Sequence, residues 1–381
     1  MKIAFVSNFL SSHQKPICDA LYCMSGVEFR FIALTPITET RKQMGWDDLN
    51  NIVYVIKTYM GTEGEKNALE FISNADVAIF GHDKADIFFE NIVKNKSAII
   101  YRYSERLYKH GRWRVLSPRG LWNRWNTYFR YPTKNQYLLC ASAYAAKDYT
   151  LLGAFREKCF KWGYFPPSKS YDIEQRISDK KPGTIFWAGR LISWKHPEIA
   201  IRIAKQLQSA QIPFEMNIAG DGPVFQNMKM LIKNEGLKDN VHLLGNCAAD
   251  VVRQYMADSC IFLATSDYQE GWGAVVNEAM SEGCAVVGCE AMGSVPYLIQ
   301  SGKNGYSFPV KKVDIACKKV EELLLNEKLC HSIMKSAYLT IQNEWNGNCA
   351  AHRLILMSNS LLTRGVPYNF TSGPCSKSEI R

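Results

Sequence analysis

Apolar runs of strand length alternate with stretches of helical periodicity along almost the whole chain, and this alternation limits the fold more than any other feature. In the first half the runs fall at residues 2–7, 28–34, 53–57, 76–80, 97–101 and 137–141; in the second half at 184–188, 214–219, 241–244, 260–264 and 284–288. Runs that are apolar throughout mark strands covered on both faces, which are parallel strands. Two such series separated by helices predict an α/β chain of two doubly wound, Rossmann-like parallel-sheet domains. The expected bounds are 1–165 and 166–345, followed by a last helix and a loose tail over 346–381. The join falls in residues 165–183, where Pro166, Pro167, Ser168, Ser170, Asp179, Lys180, Lys181 and Pro182 interrupt any hydrophobic period. The tail from 365 is rich in Ser, Gly and Pro. Ligands of open parallel sheets bind beyond the carboxyl ends of the strands, so chemistry is sought in the residues just after each run.

Composition narrows the classes. Hydrophobic residues make up 47% and charged residues 22% of the 381, as in a soluble globular protein. No window approaches the uninterrupted apolar length of a membrane span. The opening Met-Lys-Ile-Ala-Phe-Val reads as a buried strand and not as a signal peptide. None of the twelve cysteines forms a C-x-x-C pair, and Cys140, Cys260 and Cys284 sit inside apolar runs, the pattern of reduced core thiols in a cytosolic setting. Histidines and cysteines show no zinc spacing. The net charge of +10 is compatible with nucleic acid, an anionic membrane or a phosphorylated ligand. No helix-turn-helix, zinc or RNP-like motif supports the first.

Three motifs follow strands of the second half. The run at 184–188 leads into Gly189-Arg190-Leu191-Ile192-Ser193-Trp194-Lys195-His196-Pro197. Arg190 and Lys195 therefore sit in a strand-to-helix loop, where a fork and a point charge can hold a diphosphate or can simply be two solvated cations. Ala219-Gly220-Asp221-Gly222-Pro223 is a sharp turn, most simply a structural one. After 260–264 comes Glu270-Gly271-Trp272-Gly273-Ala274-Val275-Val276-Asn277-Glu278-Ala279. Its two glycines permit close approach of backbone to a ligand, and the helix start that follows favours phosphate. Glu278 lies among Val275, Val276, Ala279 and Met280, a costly setting for an unpaired carboxylate. Two such carboxylates can accept from sugar and ribose hydroxyls, or be an ordinary loop and an ordinary helix-surface glutamate.

In this order, G-R-L-x-x-x-K, G-D-G-P and E-G-W-G-x-x-x-x-E-A resemble the donor domain of retaining glycosyltransferase family 4, the glycosyl transferases of group 1, with the GT-B fold. The resemblance covers about residues 184–308, including 294–299 and Asn304-Gly305. It implies a metal-independent enzyme, without cofactor, that moves a sugar from a nucleoside-diphosphate sugar, uridine- or guanosine-linked, to a sugar or polyprenyl-linked acceptor across an interdomain cleft, as in cell-surface polysaccharide synthesis. Residue by residue, it implies that Gly189, Arg190 and Lys195 meet the leaving diphosphate and that Glu278 accepts from the ribose. Glu270 and the Gly271, Trp272, Gly273 and Ala274 backbone hold the donor sugar and its phosphate, and the loop of Gly245 and Asn246 faces the base. Trp345 precedes a last helix that crosses back towards the first domain. No Asp-x-Asp offers a metal site, so fixed cations must stabilise the leaving group.

The first half carries the acceptor. Many family members have a glycine-rich loop after the first strand; here Asn8-Phe9-Leu10-Ser11-Ser12-His13-Gln14-Lys15-Pro16 has none, and His13 and Gln14 are acceptor-side candidates. His82, after the run at 76–80, occupies a position where the family often has a histidine near the reacting carbon; helix capping with Asp83 is the alternative. Between Arg102 and Lys134 nine cations (with Arg106, Lys109, Arg112, Arg114, Arg119, Arg124 and Arg130) face one acid, Glu105, and are interleaved with Trp113, Trp122, Trp125, Tyr128 and Phe129. Such a stretch suits peripheral docking on an anionic cytoplasmic leaflet, or aromatics packed inward beneath solvated cations. The competing functions are a nucleotide-sugar epimerase of the same architecture and a non-catalytic basic protein that binds nucleic acid.

Overall fold

The computed structural model describes residues 1–39, 41, 47–81, 86–95, 97–109, 111, 117–125 and 134–380. The chain divides into two units. Unit 1 is formed by residues 1–167 and 346–381, and unit 2 by residues 168–345.

Unit 1 contains β1 (Lys2–Ser7), β2 (Glu28–Ala33), β3 (Val55–Lys57), β4 (Val77–Phe80), β5 (Ile99–Ser104), β6 (Gln136–Cys140) and β7 (Cys159–Lys161). They pair in the order β3-β2-β1-β4-β5-β6-β7, and every pairing is parallel. Unit 2 contains β8 (Lys181–Ala188), β9 (Glu215–Ala219), β10 (Val241–Gly245), β11 (Ser259–Ala264), β12 (Ala285–Cys289) and β13 (Tyr306–Phe308), in the order β10-β9-β8-β11-β12-β13, again all parallel. In both sheets the first strand lies inside and the chain winds outwards in both directions. The order reverses beside β1 in one sheet and beside β8 in the other, which opens a crevice at the carboxyl ends. Ile3, Ala4 and Val6 of β1, and Ile185 and Phe186 of β8, are wholly buried, as strands covered on both faces require.

Sequence patterning misses β7 and β13. Each has three residues and lies at a sheet edge, too short for a period to register. The region taken as an unpatterned join is also ordered. Asp172 caps the short helix Ile173–Ser178 by accepting from the amides of Glu174 and Gln175, and β8 begins at Lys181. Lys180 is 5% exposed. Its ammonium donates to the carbonyls of Met256 (3.0 Å), Ala257 (2.9 Å) and Ser259 (2.9 Å), closing the end of the helix Ala249–Asp258.

The expected loose tail is packed on unit 1. The last helix, Gly347–Arg364, starts so close to the first, Lys15–Cys23, that a Cβ on Gly347 would lie 2.6 Å from the Pro16 carbonyl carbon. Beyond it the chain lies along the edge strand β7. Cys375 N donates to Lys161 O (2.8 Å), Lys161 N to Ser376 O (2.7 Å) and Ser378 N to Cys159 O (2.9 Å), while the Arg353 guanidinium donates to the carbonyls of Ser372 and Pro374. Cys375 is wholly buried. Polar composition hid this, because the tail is held by backbone bonds that cover an open edge.

The basic stretch is also divided. Arg102 is 6% exposed, with its guanidinium 3.8 Å from the Phe89 ring centroid. Arg106 is equally buried and lies 3.6 Å from Asp148, and Lys109 pairs with Glu105. Arg102 and Arg106 therefore do not belong to a membrane-facing surface. Leu121, Trp122 and Trp125 are exposed (53%, 65% and 59%), as is Lys134. Arg112, Trp113, Arg114, Tyr128, Phe129 and Arg130 lie outside the described residues.

Deleting residues 373–381 removes these three backbone bonds. At roughly 1 kcal/mol each, and about 2–4 °C per kcal/mol, the melting midpoint should fall by about 6–12 °C. An unchanged midpoint in calorimetry would show that the tail contributes nothing to the fold.

Candidate functional site

Three loops of unit 2, after β8, β9 and β10, are stitched together by main-chain bonds. Gly189 N donates to Ala219 O (3.0 Å), Leu191 N to Asp221 O (2.9 Å), Val224 N to Leu191 O (3.1 Å) and Gly220 N to Gly245 O (2.7 Å). The fit leaves no room for side chains. A Cβ on Gly220 would lie 1.8 Å from the Gly189 oxygen, and one on Gly222 2.5 Å from the Leu191 oxygen; both glycines have positive φ (140° and 154°). The G-D-G-P turn is thus the brace of the loop that carries Arg190 and Lys195.

That loop is fixed at its other end as well. After the 3-10 turn Ser193–Lys195, His196 adopts the left-handed conformation (φ 48°), uncommon for a residue with a side chain. Its ring bridges Glu198 (2.8 Å) and Asp267 (3.4 Å); the Glu198 hydrogen bond, against partial burial, raises the imidazole pKa above its ordinary value. Thr265 Oγ1 donates to Lys195 O (2.6 Å) and accepts from the buried Trp187 indole (2.8 Å), and Asp267 N donates to Trp194 O (2.9 Å). The Lys195 backbone is thereby tied to the end of β11, and its side chain follows. The ammonium sits 2.7 Å from Glu270 Oε2, an oxygen that also accepts from Ser266 Oγ at 3.2 Å. Both members of this ion pair are about 15% exposed. The Arg190 side chain is exposed, and among the described residues it makes neither a hydrogen bond nor an ion pair.

Arg190 and Lys195 line a cavity of about 340 Å³ beyond the strand ends, with Gly189, Asn246 and Glu278. Five residues expected from the sequence thus meet in one place. Arg253, on the helix Ala249–Asp258, lines the same cavity and was missed by sequence reasoning. The signal was available: Ala249, Val252 and Arg253 share a helical face directly after the Gly245 loop. Glu278 lies on the helix Val275–Ser281. Burial raises its pKa above the usual carboxylate value, Arg253 opposes this and Glu282 adds to it. Arg253 Nη1 lies 3.4 Å from Glu282 Oε1, and Glu282, nearly fully buried, also pairs with Arg176. The cavity thus offers cations to an anion and a carboxylate to hydroxyl donors.

The loop before Val275 supports the site from below. The Trp272 side chain is wholly buried and cannot face a ligand. Its indole donates to Asn277 Oδ1 (2.8 Å) and packs near Trp345 (5.9 Å between centroids) and Tyr297 (6.1 Å). Gly273 has φ 89°, and its carbonyl accepts from Ser294 Oγ at 3.4 Å. Gly271 and Ala274 complete the bend without lining the cavity; Gly245 likewise only shapes the turn before Asn246.

In unit 1, His13 stacks on Tyr164 (5.6 Å between centroids, 3° between planes), whose hydroxyl donates to Glu105 at 2.6 Å. Gln14 folds back to accept from the Ser11 amide and hydroxyl at the start of the first helix, so it stiffens a turn. His82 lies outside the described residues.

A pair of all-parallel, doubly wound sheets in these orders is the GT-B class of fold. Residues 169–340, nearly the whole of unit 2, match the family model of glycosyl transferases group 1. The chain is 27% identical over 143 residues to the GPI3 subunit of phosphatidylinositol N-acetylglucosaminyltransferase of Saccharomyces cerevisiae, covering 38% of this chain and 31% of that protein. It is 29% identical over 135 residues to N-acetyl-alpha-D-glucosaminyl L-malate synthase of Bacillus anthracis, covering 35% and 34%. The chain thus spans about a third of the length of these relatives. Among solved structures, Anabaena HepE in complex with UDP superposes with a TM-score of 0.65 at 17% identity, over 95% of this chain and 100% of that one.

Gly220→Ala should destabilise unit 2 by about 3 kcal/mol or more, because neither backbone can yield. Gly236→Ala, with φ 67° but open space around it, should cost only about 1–2 kcal/mol. Similar urea midpoints for the two variants would refute the brace.

Proposed function

We propose that the protein is a glycosyltransferase that moves a sugar from a UDP- or GDP-sugar to a sugar or lipid-linked acceptor, with retention and without a metal, in cell-surface polysaccharide synthesis. The carrying observation is a cavity of unit 2 that gathers Arg190, Lys195 and Glu278 beyond the carboxyl ends of the sheet. The UDP bound in the structure of HepE supports a uridine nucleotide. In this reading the diphosphate lies against Arg190 and Lys195, the ribose hydroxyls donate to Glu278, and Glu270 takes hydroxyls of the sugar while holding Lys195 in place. Asn246 and its loop meet the base.

The bond from the anomeric carbon to the phosphate oxygen breaks, and its electron pair stays on the diphosphate. The acceptor oxygen bonds to the same face of that carbon and gives its proton to the departing phosphate oxygen. Fixed cations stabilise the charge that develops on the leaving group, and no protein nucleophile is needed. His82, and His13 through its Tyr164 stack, are assigned to the reacting-carbon and acceptor sides. An epimerase would also bind the nucleotide, and would interconvert nucleotide sugars with no acceptor present.

Arg190→Ala and Lys195→Ala should each lower turnover about 100- to 1000-fold, by analogy with an oxyanion-hole donor; the melting midpoint should be little changed in Arg190→Ala and lowered in Lys195→Ala, which leaves the mostly buried Glu270 carboxylate without its partner. Glu278→Gln should weaken donor binding yet raise thermal stability at neutral pH. The sign follows from the raised pKa: the buried carboxylate destabilises the fold at every pH above its unfolded value, and the amide carries no charge. Turnover should survive a chelator. Near-normal turnover in both cation variants would remove the diphosphate assignment, and activity restored only by added magnesium or manganese would remove metal independence.

A second reading concerns location. The exposed Leu121, Trp122 and Trp125, on and just after the helix Pro118–Arg124 and within a basic stretch, favour peripheral docking on an anionic cytoplasmic leaflet, presenting a polyprenyl-linked acceptor. No helix among the described residues is long and apolar enough to cross a membrane. Anionic vesicles should sediment the protein at low salt more than neutral ones, and Trp122→Ser with Trp125→Ser should reduce this about tenfold or more. Negligible binding to both vesicle types would end the docking assignment.

A further inference from the structure

The Glu278 carboxylate accepts no hydrogen bond from the described residues, although it lines the cavity wall and is largely buried. An ionised carboxylate in such a place requires a counter-charge. Lys195 lines the same cavity, but its ammonium is committed to Glu270 at 2.7 Å, and the Arg190 side chain is exposed. Asp221, on the loop after β9, is an acid, and the Cys247 sulfur, after β10, lies 3.7 Å from the Gly245 carbonyl. Arg253 remains. It reaches the cavity from the helix Ala249–Asp258, whose end Lys180 fixes, and Glu282 holds it at 3.4 Å. Glu282 stands one turn beyond Glu278 on the same face, and it is held in turn by Arg176 and by the Tyr171 hydroxyl at 3.4 Å.

We infer that Arg253 is a positioning residue for nucleotide binding: gripped from behind by Glu282, it supplies the counter-charge that keeps the Glu278 carboxylate ionised and open to the ribose hydroxyls. This rests on the proposed nucleotide-sugar reading. Without Arg253 the two glutamates would face each other one helical turn apart in a desolvated wall, and Glu278 would take up a proton at a higher pH. A protonated carboxyl accepts weakly and has lost its charge, so nucleotide binding would fail first on the acid side. Glu282→Gln should act in the opposite direction, because it removes the repelling charge and frees Arg253 for Glu278.

The experiment is calorimetric titration of the full chain with UDP and with GDP in a series of buffers from the acid to the alkaline side of neutrality. Arg253→Met should bind about tenfold or more weakly at the acid end and recover to within about threefold of the unaltered protein at the alkaline end. Arg253→Lys should keep most of the unaltered profile, which also serves if the methionine variant folds poorly. Glu282→Gln should move the acid limb to lower pH. Equal weakening at every pH would mean that Arg253 touches the nucleotide itself, and an unaltered profile would mean that it does neither; each overturns the inference. Failure of the unaltered protein to bind either nucleotide would overturn the reading beneath it, and the inference with it.

Discussion

The contact on which the second unit depends is backbone against backbone, where Gly220 lies on the carbonyl of Gly189. Three strand ends are brought within hydrogen-bonding distance of one another there, and the loops leaving them have no freedom to separate. Everything that gives the cavity its character is hung from this seam: Arg190 and Lys195 on one loop, Asp221 on the next, and Asn246 on the third. In the proposed reaction a rigid frame matters, because cations stabilise a developing negative charge only if they are in place beforehand; side chains that must reorganise lose most of the benefit.

Around that frame the charges are arranged in pairs that share one purpose. Lys195 is not a solvated lysine on a loop. It is held through its carbonyl by Thr265 and Trp187 and through its ammonium by Glu270. The pair is mostly desolvated, so either member left alone would be costly, and the arrangement fixes two loops at once. Arg253 and Glu282 repeat the pattern one layer deeper, with Arg176 as a third member. The cavity wall is therefore a lattice of alternating charges, in which Glu278 is the member left open.

The strand runs of both halves were legible because parallel strands buried on both faces must be apolar throughout; this is why β1, β2, β8 and β11 stand out. The edge strands β7 and β13 were not legible, since three residues carry no period. Lys180 shows another limit. A lysine between Asp and Lys reads as solvated linker, yet its ammonium is buried against three carbonyls that only the fold brings together. The motifs pointed to Arg190, Lys195 and Glu278 because each lies in the segment that leads from one parallel strand to the next. Trp272, in the same motif, turned inward because its indole finds Asn277 five residues on. Arg253 was passed over because its significance comes from Glu282, a partner 29 residues away.

The chain leaves unit 1 after residue 167 and returns to it at residue 346, so unit 2 is an insertion within unit 1. During synthesis, β8 to β13 are complete before the helix Gly347–Arg364 and the strip along β7 have left the ribosome. The inserted unit can close its own core early, whereas the first sheet waits with one helical flank and one edge uncovered until residues 347–380 arrive. Folding of the first unit is therefore gated by that returning segment, and a chain halted before Gly347 would carry a finished second unit joined to an incomplete first.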